Sequence, residues 1–334
     1  VDHRVEWDGK NKAFLLFLPY NHIELIKARN IPSRRYRKSD RAWVCKASQD
    51  NVEYIAAQWP KAAWSKECVS VRHYLKSKID RLDATLERKS GLAQAGLDHS
   101  ALDRVPFKHP CYKHQKDALL LGRDEPVFGY FMDQGTGKTK VLIDDAAHNF
   151  RKRKIEAVLV FCPNSVKTNW VSWEGADEIS NHMPPDVKYI KGVWMSDANA
   201  AETKAWKNFE IALGRRQADQ LIVLSVNVDA LIVPRLFEFL EKFCQAFRTM
   251  IVGDESTRIA EMSAKRTRAA KKLRRLCALA RILTGTAVIK SPLKAYSQFD
   301  FLDPEILRFG SFYAFRNRYA HMGGFENRVV IHYK

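Results

Sequence analysis

Two short stretches carry residue types suited to phosphoryl chemistry. Gly135-Thr136-Gly137-Lys138-Thr139 sets two glycines ahead of an amine and a hydroxyl. Glycines let main-chain N–H groups converge on phosphate oxygens, and a helix starting at the lysine adds partial positive charge there. Lys138 would reach the β- and γ-phosphates of a nucleoside triphosphate, and the Thr139 hydroxyl would help hold Mg²⁺. Farther along, Asp254-Glu255 follows four apolar residues, Met250–Gly253. Asp254 would orient water on the same cation, and Glu255 would polarise the attacking water. The full phosphate-loop consensus asks for Gly five residues before Gly137, where Met132 stands. That departure argues against a small GTPase or a nucleotide kinase.

Such groups act only if strands and helices bring them together. Val127–Met132 reads as a buried strand, and Val141–Phe150 has helical spacing, so the glycine turn joins strand to helix. Ala157–Pro163 and Leu221–Asn227 read as further buried strands, and Met250–Gly253 as a fourth. Strands alternating with helices predict an α/β fold with a mainly parallel sheet and helices on both faces. The nucleotide is then expected at the carboxyl edge of the strands. The helix after Glu255 carries Lys265, Arg268, Lys272 and Arg275 on one face, which reads as solvated surface.

The N-terminal part follows another pattern. Ala13–Leu18 reads as a strand, Asn21–Ala28 as a helix capped by Asn21, Arg41–Lys46 as a strand and Gln49–Gln58 as a helix stopped by Pro60. Between the first helix and the second strand, Ile31–Arg41 reads as a basic loop. It sets Arg34, Arg35, Arg37 and Arg41 around Tyr36, with Trp43 just beyond. Guanidinium groups that pair with phosphates beside aromatic faces that stack on bases suit a DNA fork or single strand. Trp64–Lys89 has helical spacing, and Ser90–Gly96 is the best linker candidate.

Across 334 residues, 56 Lys and Arg stand against 38 Asp and Glu, a formal charge of +18. A field of that sign attracts polyanions, of which nucleic acid is the commonest. No apolar run approaches the length of a membrane helix, and no signal-peptide pattern opens the chain. The six cysteines are scattered without a C-x-x-C pair, which reads as reduced core thiols and an intracellular compartment. The ten histidines show no metal-ligand spacing.

The short Gly-x-Gly-Lys-Thr form, the strand-borne Asp-Glu pair and Leu283-Thr-Gly-Thr286 resemble the motifs of Swi/Snf-type superfamily-two DNA translocases. The resemblance extends to Cys162-Pro163 with Ser165 and a later Trp, and to Ser291-Pro-Leu, Phe301-Leu-Asp-Pro304 and Phe315-Arg-Asn-Arg-Tyr319. It implies a RecA-like first lobe over residues 105–334, with ATP and Mg²⁺ as cofactors and double-stranded or forked DNA as partner. By the same resemblance Gln115 reads adenine; Ser165, Lys167 and Asn227 approach DNA; and Thr284 and Thr286 couple the γ-phosphate to the acidic pair. Trp170 reads as core. Thr257 and Ala287 replace the family's usual His and Pro.

Leu18-Pro-Tyr, Ile31-Pro-x-Arg-x-Tyr36 and the strand with Trp43 resemble the HARP substrate-recognition domain of annealing helicases. That likeness implies a substrate-recognition domain at residues 1–62, followed by a helical connector and linker at 63–104. The implied protein is the N-terminal part of an ATP-dependent enzyme that remodels or reanneals branched DNA. It would work in the cytoplasm of a bacterium or phage-infected cell, or in a nucleus. No Gln-x-x-Gly-Arg-x-x-Arg segment occurs, so a second lobe is expected downstream and the 334-residue chain alone is expected to hydrolyse ATP feebly. The competing readings are a single-lobe ATP- and DNA-binding module without turnover, and a strand-separating DNA or RNA helicase.

Overall fold

The computed structural model describes residues 3–195, 200–285, 291–323 and 329–333. The chain divides into two units, one formed by residues 1–94 with 304–334 and the other by residues 95–303.

In the first unit, short strands with one apolar face make a five-stranded sheet. In chain order its elements are β1 (Arg4–Asp8), β2 (Ala13–Phe17), α1 (His22–Arg29), β3 (Arg34–Arg37), β4 (Ala42–Lys46), α2 (Gln49–Gln58), β5 (Ala63–Trp64) and α3 (Lys66–Ala95). The strand order is β3-β4-β2-β1-β5, antiparallel except for the β1–β5 pair. Val5, Phe14, Leu16, Ile31, Val52, Ile55 and Trp59 form its core. Asn21 caps α1 as expected, its side-chain oxygen accepting the Glu24 N–H at 2.9 Å. The fully buried Asn51 donates to the carbonyls of Lys46 (2.9 Å) and Ser33 (3.1 Å), fastening both sides of the β3–β4 hairpin.

Two expectations are corrected here. The basic stretch is a strand over Arg34–Arg37, pairing Tyr36 opposite Trp43 at the sheet edge. Its charge hid it from a reading by apolar alternation, yet charge is what protects an exposed edge from pairing with another chain. The candidate linker is helix: α3 runs through Ser90 and Gly91 to Ala95. It stops at Gly96, whose φ of +85° is the left-handed geometry that ends helices.

The second unit contains α4 (Lys113–Gly122), β6 (Val127–Phe131), α5 (Lys138–Arg151), β7 (Ala157–Cys162), α6 (Lys167–Trp170), α7 (Glu178–His182), β8 (Lys188–Val193), α8 (Ala200–Gly214), β9 (Gln220–Asn227), α9 (Pro234–Ala246), β10 (Thr249–Asp254), α10 (Lys265–Arg274), β11 (Leu279–Thr284) and α11 (Leu293–Leu302). Six strands in the order β6-β11-β10-β7-β9-β8 form a sheet that is parallel throughout. Val158, Val160 and Cys162 of β7 share a core with Val141, Leu142 and Ile143 of α5. The alternate residue Phe161 packs edge-on against Phe301 of α11, with ring centroids 5.4 Å apart. Helices therefore cover both faces, as parallel strands buried on both sides require.

One strand residue breaks the apolar rule. Arg281 of β11 is fully buried and pairs with the equally buried Asp145 of α5 at 2.6 Å. Asp145 also accepts from the Tyr130 hydroxyl (2.9 Å) and the Asn149 amide (2.7 Å), while Arg281 donates to the carbonyls of Ala280 (2.9 Å) and Gly122 (3.2 Å). Burial pulls the guanidinium pKa down, but Asp145 and Tyr130 more than offset it and leave it raised. Burial with Asp145 alongside pushes the Tyr130 phenol well above its ordinary value.

After Asp303 the chain returns to the first unit with α12 (Phe312–Tyr319) and the hairpin β12 (Ala320–Gly323)–β13 (Val329–Tyr333). The expected lobe of 105–334 is thus shortened to end at Asp303. The physical cause is polar docking inside the first unit: the Gly310 N–H bonds the Asp50 carboxylate, Ser311 donates to the Pro32 carbonyl (3.1 Å), and Arg308 pairs with Asp83.

Candidate nucleotide site and nucleic-acid interface

The glycine turn leaves β6 and enters α5 as expected. Gly135 and Gly137 have φ of +77° and +81°, which a side chain would strain. A Cβ at Gly137 would also collide with the Gln115 amide nitrogen, whereas one at Gly135 would meet open space. The Lys138 ammonium donates to the main-chain carbonyls of Met132 (2.9 Å) and Asp133 (2.8 Å), so it lies folded along its own loop. The Thr136 hydroxyl donates to the Asp133 carbonyl at 2.7 Å.

Gln115 is buried, and its amide is committed to main chain. Its nitrogen donates to the Thr136 carbonyl at 3.0 Å, and its oxygen accepts the Tyr112 N–H at 3.1 Å. The residue expected to read adenine thus lies beside the glycine turn, its amide bracing α4 against it. His114 contacts the same Thr136 carbonyl at 3.0 Å and stacks on the exposed Tyr112. These two aromatics beside the loop were not singled out in the sequence, where nothing but proximity to Gln115 marked them.

Three strands bring the remaining groups to the same edge. β11 lies between β6 and β10, pairing Thr284 with Phe131 and Leu283 with Asp254. The buried Thr284 accepts the Met132 N–H on its carbonyl at 3.3 Å. Gly285 lies against Gln134, where an added Cβ would meet the Gln134 Cγ at 3.4 Å. Thr286 lies outside the described residues. Burial pushes the Asp254 carboxyl above the usual range, opposed by N–H donors from Trp170 and Glu255 and by the Lys138 charge. Glu255 holds a left-handed φ of +50°, uncommon for a non-glycine residue and of the kind that clusters at functional sites. Behind it Ser256 donates to Gln298 (2.6 Å) and Ser297 to the Ile259 carbonyl (2.6 Å), fixing the segment to α11. Thr139 and Asp254 supply a hydroxyl and a carboxylate, hard oxygen donors of the kind Mg²⁺ takes alongside phosphate and water.

The residues expected at DNA separate. Arg34, Arg35 and Tyr36 are exposed on β3, and Tyr36 packs edge-on against Trp43 at 5.3 Å. Arg37, by contrast, is partly buried and pairs with Asp8 (2.8 Å) and with Asp40. In the second unit Ser165 is exposed, whereas Lys167 is buried, which corrects its expected surface contact. The short α6 turns the Lys167 side chain inward as its carbonyl accepts the Ser225 hydroxyl at 3.0 Å. Asn227 uses its side-chain oxygen to cap the turn after β9, accepting the Asp229 N–H at 3.0 Å. The basic face of α10 is solvated as expected, with Lys265, Arg268, Lys272 and Arg275 all exposed.

A family model, the SNF2-related domain, matches residues 34–323, and the chain belongs to that family. Among solved structures, it is similar to the Sulfolobus solfataricus SWI2/SNF2 ATPase core in complex with dsDNA, with 23% identity, a TM-score of 0.47, and coverage of 64% of this chain and 40% of that one. It is also similar to the UvsW helicase from bacteriophage T4, with 11% identity, a TM-score of 0.43, and coverage of 90% and 98%. This chain thus spans 40% of the length of the Sulfolobus ATPase core. No curated protein matches it.

Proposed function

We propose that the chain is the N-terminal part of an intracellular, ATP-dependent DNA translocase that moves on, remodels or reanneals branched double-stranded DNA. The observation that carries this reading is the meeting of three motifs at the carboxyl edge of adjacent strands: the loop after β6, Thr284 ending β11 and Asp254-Glu255 ending β10. Mg²⁺, when bound, supplies charge that neutralises the phosphate oxygens. The glycine loop orients the triphosphate through its N–H groups, and Lys138 exchanges two carbonyl partners for phosphate oxygens. Asp254 and Thr139 hold the cation's shell, and Glu255 accepts a proton from the attacking water. All of these lie on one lobe, so the arginine that completes such a site is expected from a second lobe encoded downstream. Exposed Arg34, Arg35 and Tyr36 supply charge and a stacking face for a DNA junction.

The test is ATP turnover with duplex DNA, forked DNA and RNA, using protein that carries its natural downstream sequence. DNA-stimulated turnover, highest with forks, is expected. Lys138→Ala should lose nucleotide binding while keeping DNA binding, and Glu255→Gln should bind ATP without turning it over. Unchanged hydrolysis by Glu255→Gln would refute the assignment of the acidic pair.

A further inference from the structure

Both oxygens of Asp254 are already held by N–H donors. The main-chain N–H of Glu255 donates to one oxygen at 3.0 Å, and the indole N–H of Trp170 donates to the other at 2.7 Å. A carboxylate at a strand end is otherwise free to turn about its side-chain bonds, and two donors from different directions fix its plane. The indole cannot swing away, since Trp170 is 2% exposed and packs in the core that includes Val171, Ile179 and Met183. Its helix is anchored in turn, because the Ser225 hydroxyl of β9 donates to the Lys167 carbonyl at the start of α6. An indole N–H donates only and carries no charge, so it orients a carboxylate without competing for the cation. A site that needed only bulk would be met by a side chain with no polar atom to satisfy.

We propose that Trp170 is a positioning residue for the metal-holding carboxylate Asp254. It presents Asp254 to the cation's hydration shell and makes the placement of that shell depend on α6. Helix α6 in turn follows directly on the turn Asn164–Val166, of which Asn164 and Ser165 are exposed. The inference rests on the nucleotide-site reading above.

The test is a Mg²⁺ titration of binding to a fluorescent ATP analogue, with Mn²⁺ binding followed by paramagnetic resonance. Losing a hydrogen bond to a charged group should raise the metal concentration needed by roughly tenfold in Trp170→Phe. Affinity for the analogue in EDTA should stay within about twofold, because the phosphate loop is untouched. In an Asp254→Asn background the Phe substitution should add little to the metal dependence, the mark of two residues acting through one hydrogen bond. If Trp170→Phe does not fold, benzothienylalanine at position 170 keeps the bicyclic shape and replaces the N–H donor with sulfur. An unchanged metal dependence with that isostere would overturn the proposal, as would a Phe variant that loses metal-free and metal-dependent binding equally. If the unaltered chain and Lys138→Ala both fail to bind the analogue, the nucleotide site itself is misassigned and the role of Trp170 falls with it.

Discussion

Removing the Asp145 carboxylate should expose how much the buried pair holds in place. Asp145→Ala leaves the Arg281 guanidinium fully buried without its counter-charge, and the Tyr130 hydroxyl and Asn149 amide each lose an acceptor. Breaking one partner of a buried pair typically costs about 3–5 kcal/mol. For a unit the size of residues 95–303, each kcal/mol lowers the melting temperature by about 2–4 °C, so a fall of about 6–20 °C is expected. The comparison that isolates charge is Asp145→Leu with Arg281→Met, which removes both ions and keeps apolar volume. That double variant should lose less stability than Asp145→Ala, by at least about 1 kcal/mol, although Tyr130 still lacks its acceptor. Thermal and urea unfolding followed by circular dichroism give both numbers. Because the pair ties the phosphate-loop helix α5 to the strand bearing Thr284, nucleotide binding should weaken in the single variant and return in the double. A single variant melting within about 2 °C of the parent, or a double variant that loses as much stability as Asp145→Ala, would refute the argument.

Other substitutions test separate parts of the structure. Gly137→Ala forces a side chain into a left-handed conformation costing about 1–3 kcal/mol and drives it into Gln115, so nucleotide binding by fluorescence titration should be lost while DNA binding persists. Arg34→Ala with Arg35→Ala should reduce the slope of log affinity against log salt by roughly 0.7–0.9 for each phosphate no longer neutralised, whereas Arg37→Ala, already paired with acids, should leave that slope unchanged. The Asp8 carboxyl is held down to about 2, chiefly by the Asn11 side chain and then by its main-chain N–H, with Arg37 adding to the effect. A depressed acid stabilises the fold above the ordinary carboxylate range and loses that contribution as pH falls through about 2. NMR titration should therefore find Asp8 still ionised near pH 3, and Asn11→Ala should move its midpoint upward.

The sheet that carries the site was readable because its strands are buried on both faces. Ala157–Cys162 and Leu221–Asn227 are almost wholly apolar, which marks them as interior. The glycine turn between β6 and α5 and the acidic pair at the end of β10 were placed correctly because both directly follow apolar strands. Edges were not. Strand β3 reads Arg-Arg-Tyr-Arg, and β8 mixes lysines with apolar residues at the other sheet's margin, so neither carries a burial signal. The glycine in α3 suggested a break because one glycine weakens a helix, but by only about 1 kcal/mol, which neighbouring helix formers absorb. Trp170 was legible as core but not as a donor, since its acceptor lies 84 residues away. Gln115 and Lys167 stand in polar segments that carry no burial signal, and only the folded chain reveals that both are enclosed.

The course of the chain has a consequence for how it is made. The first unit takes strands and helices from residues 3–94 and then waits for residues 304–333, with all of the second unit synthesised in between. At about 5–20 residues per second, the ribosome needs roughly 10–40 s to cross that interval. Throughout it, Asp50 and Asp83 have been made but the Gly310 N–H and Arg308 have not. The second unit, by contrast, is contiguous and complete once Asp303 has emerged. The second unit can thus reach its final form on the nascent chain while the first unit is still missing α12 and the β12–β13 hairpin. Slow translation through residues 95–303 would lengthen the exposure of the N-terminal unit and leave the order of events unchanged.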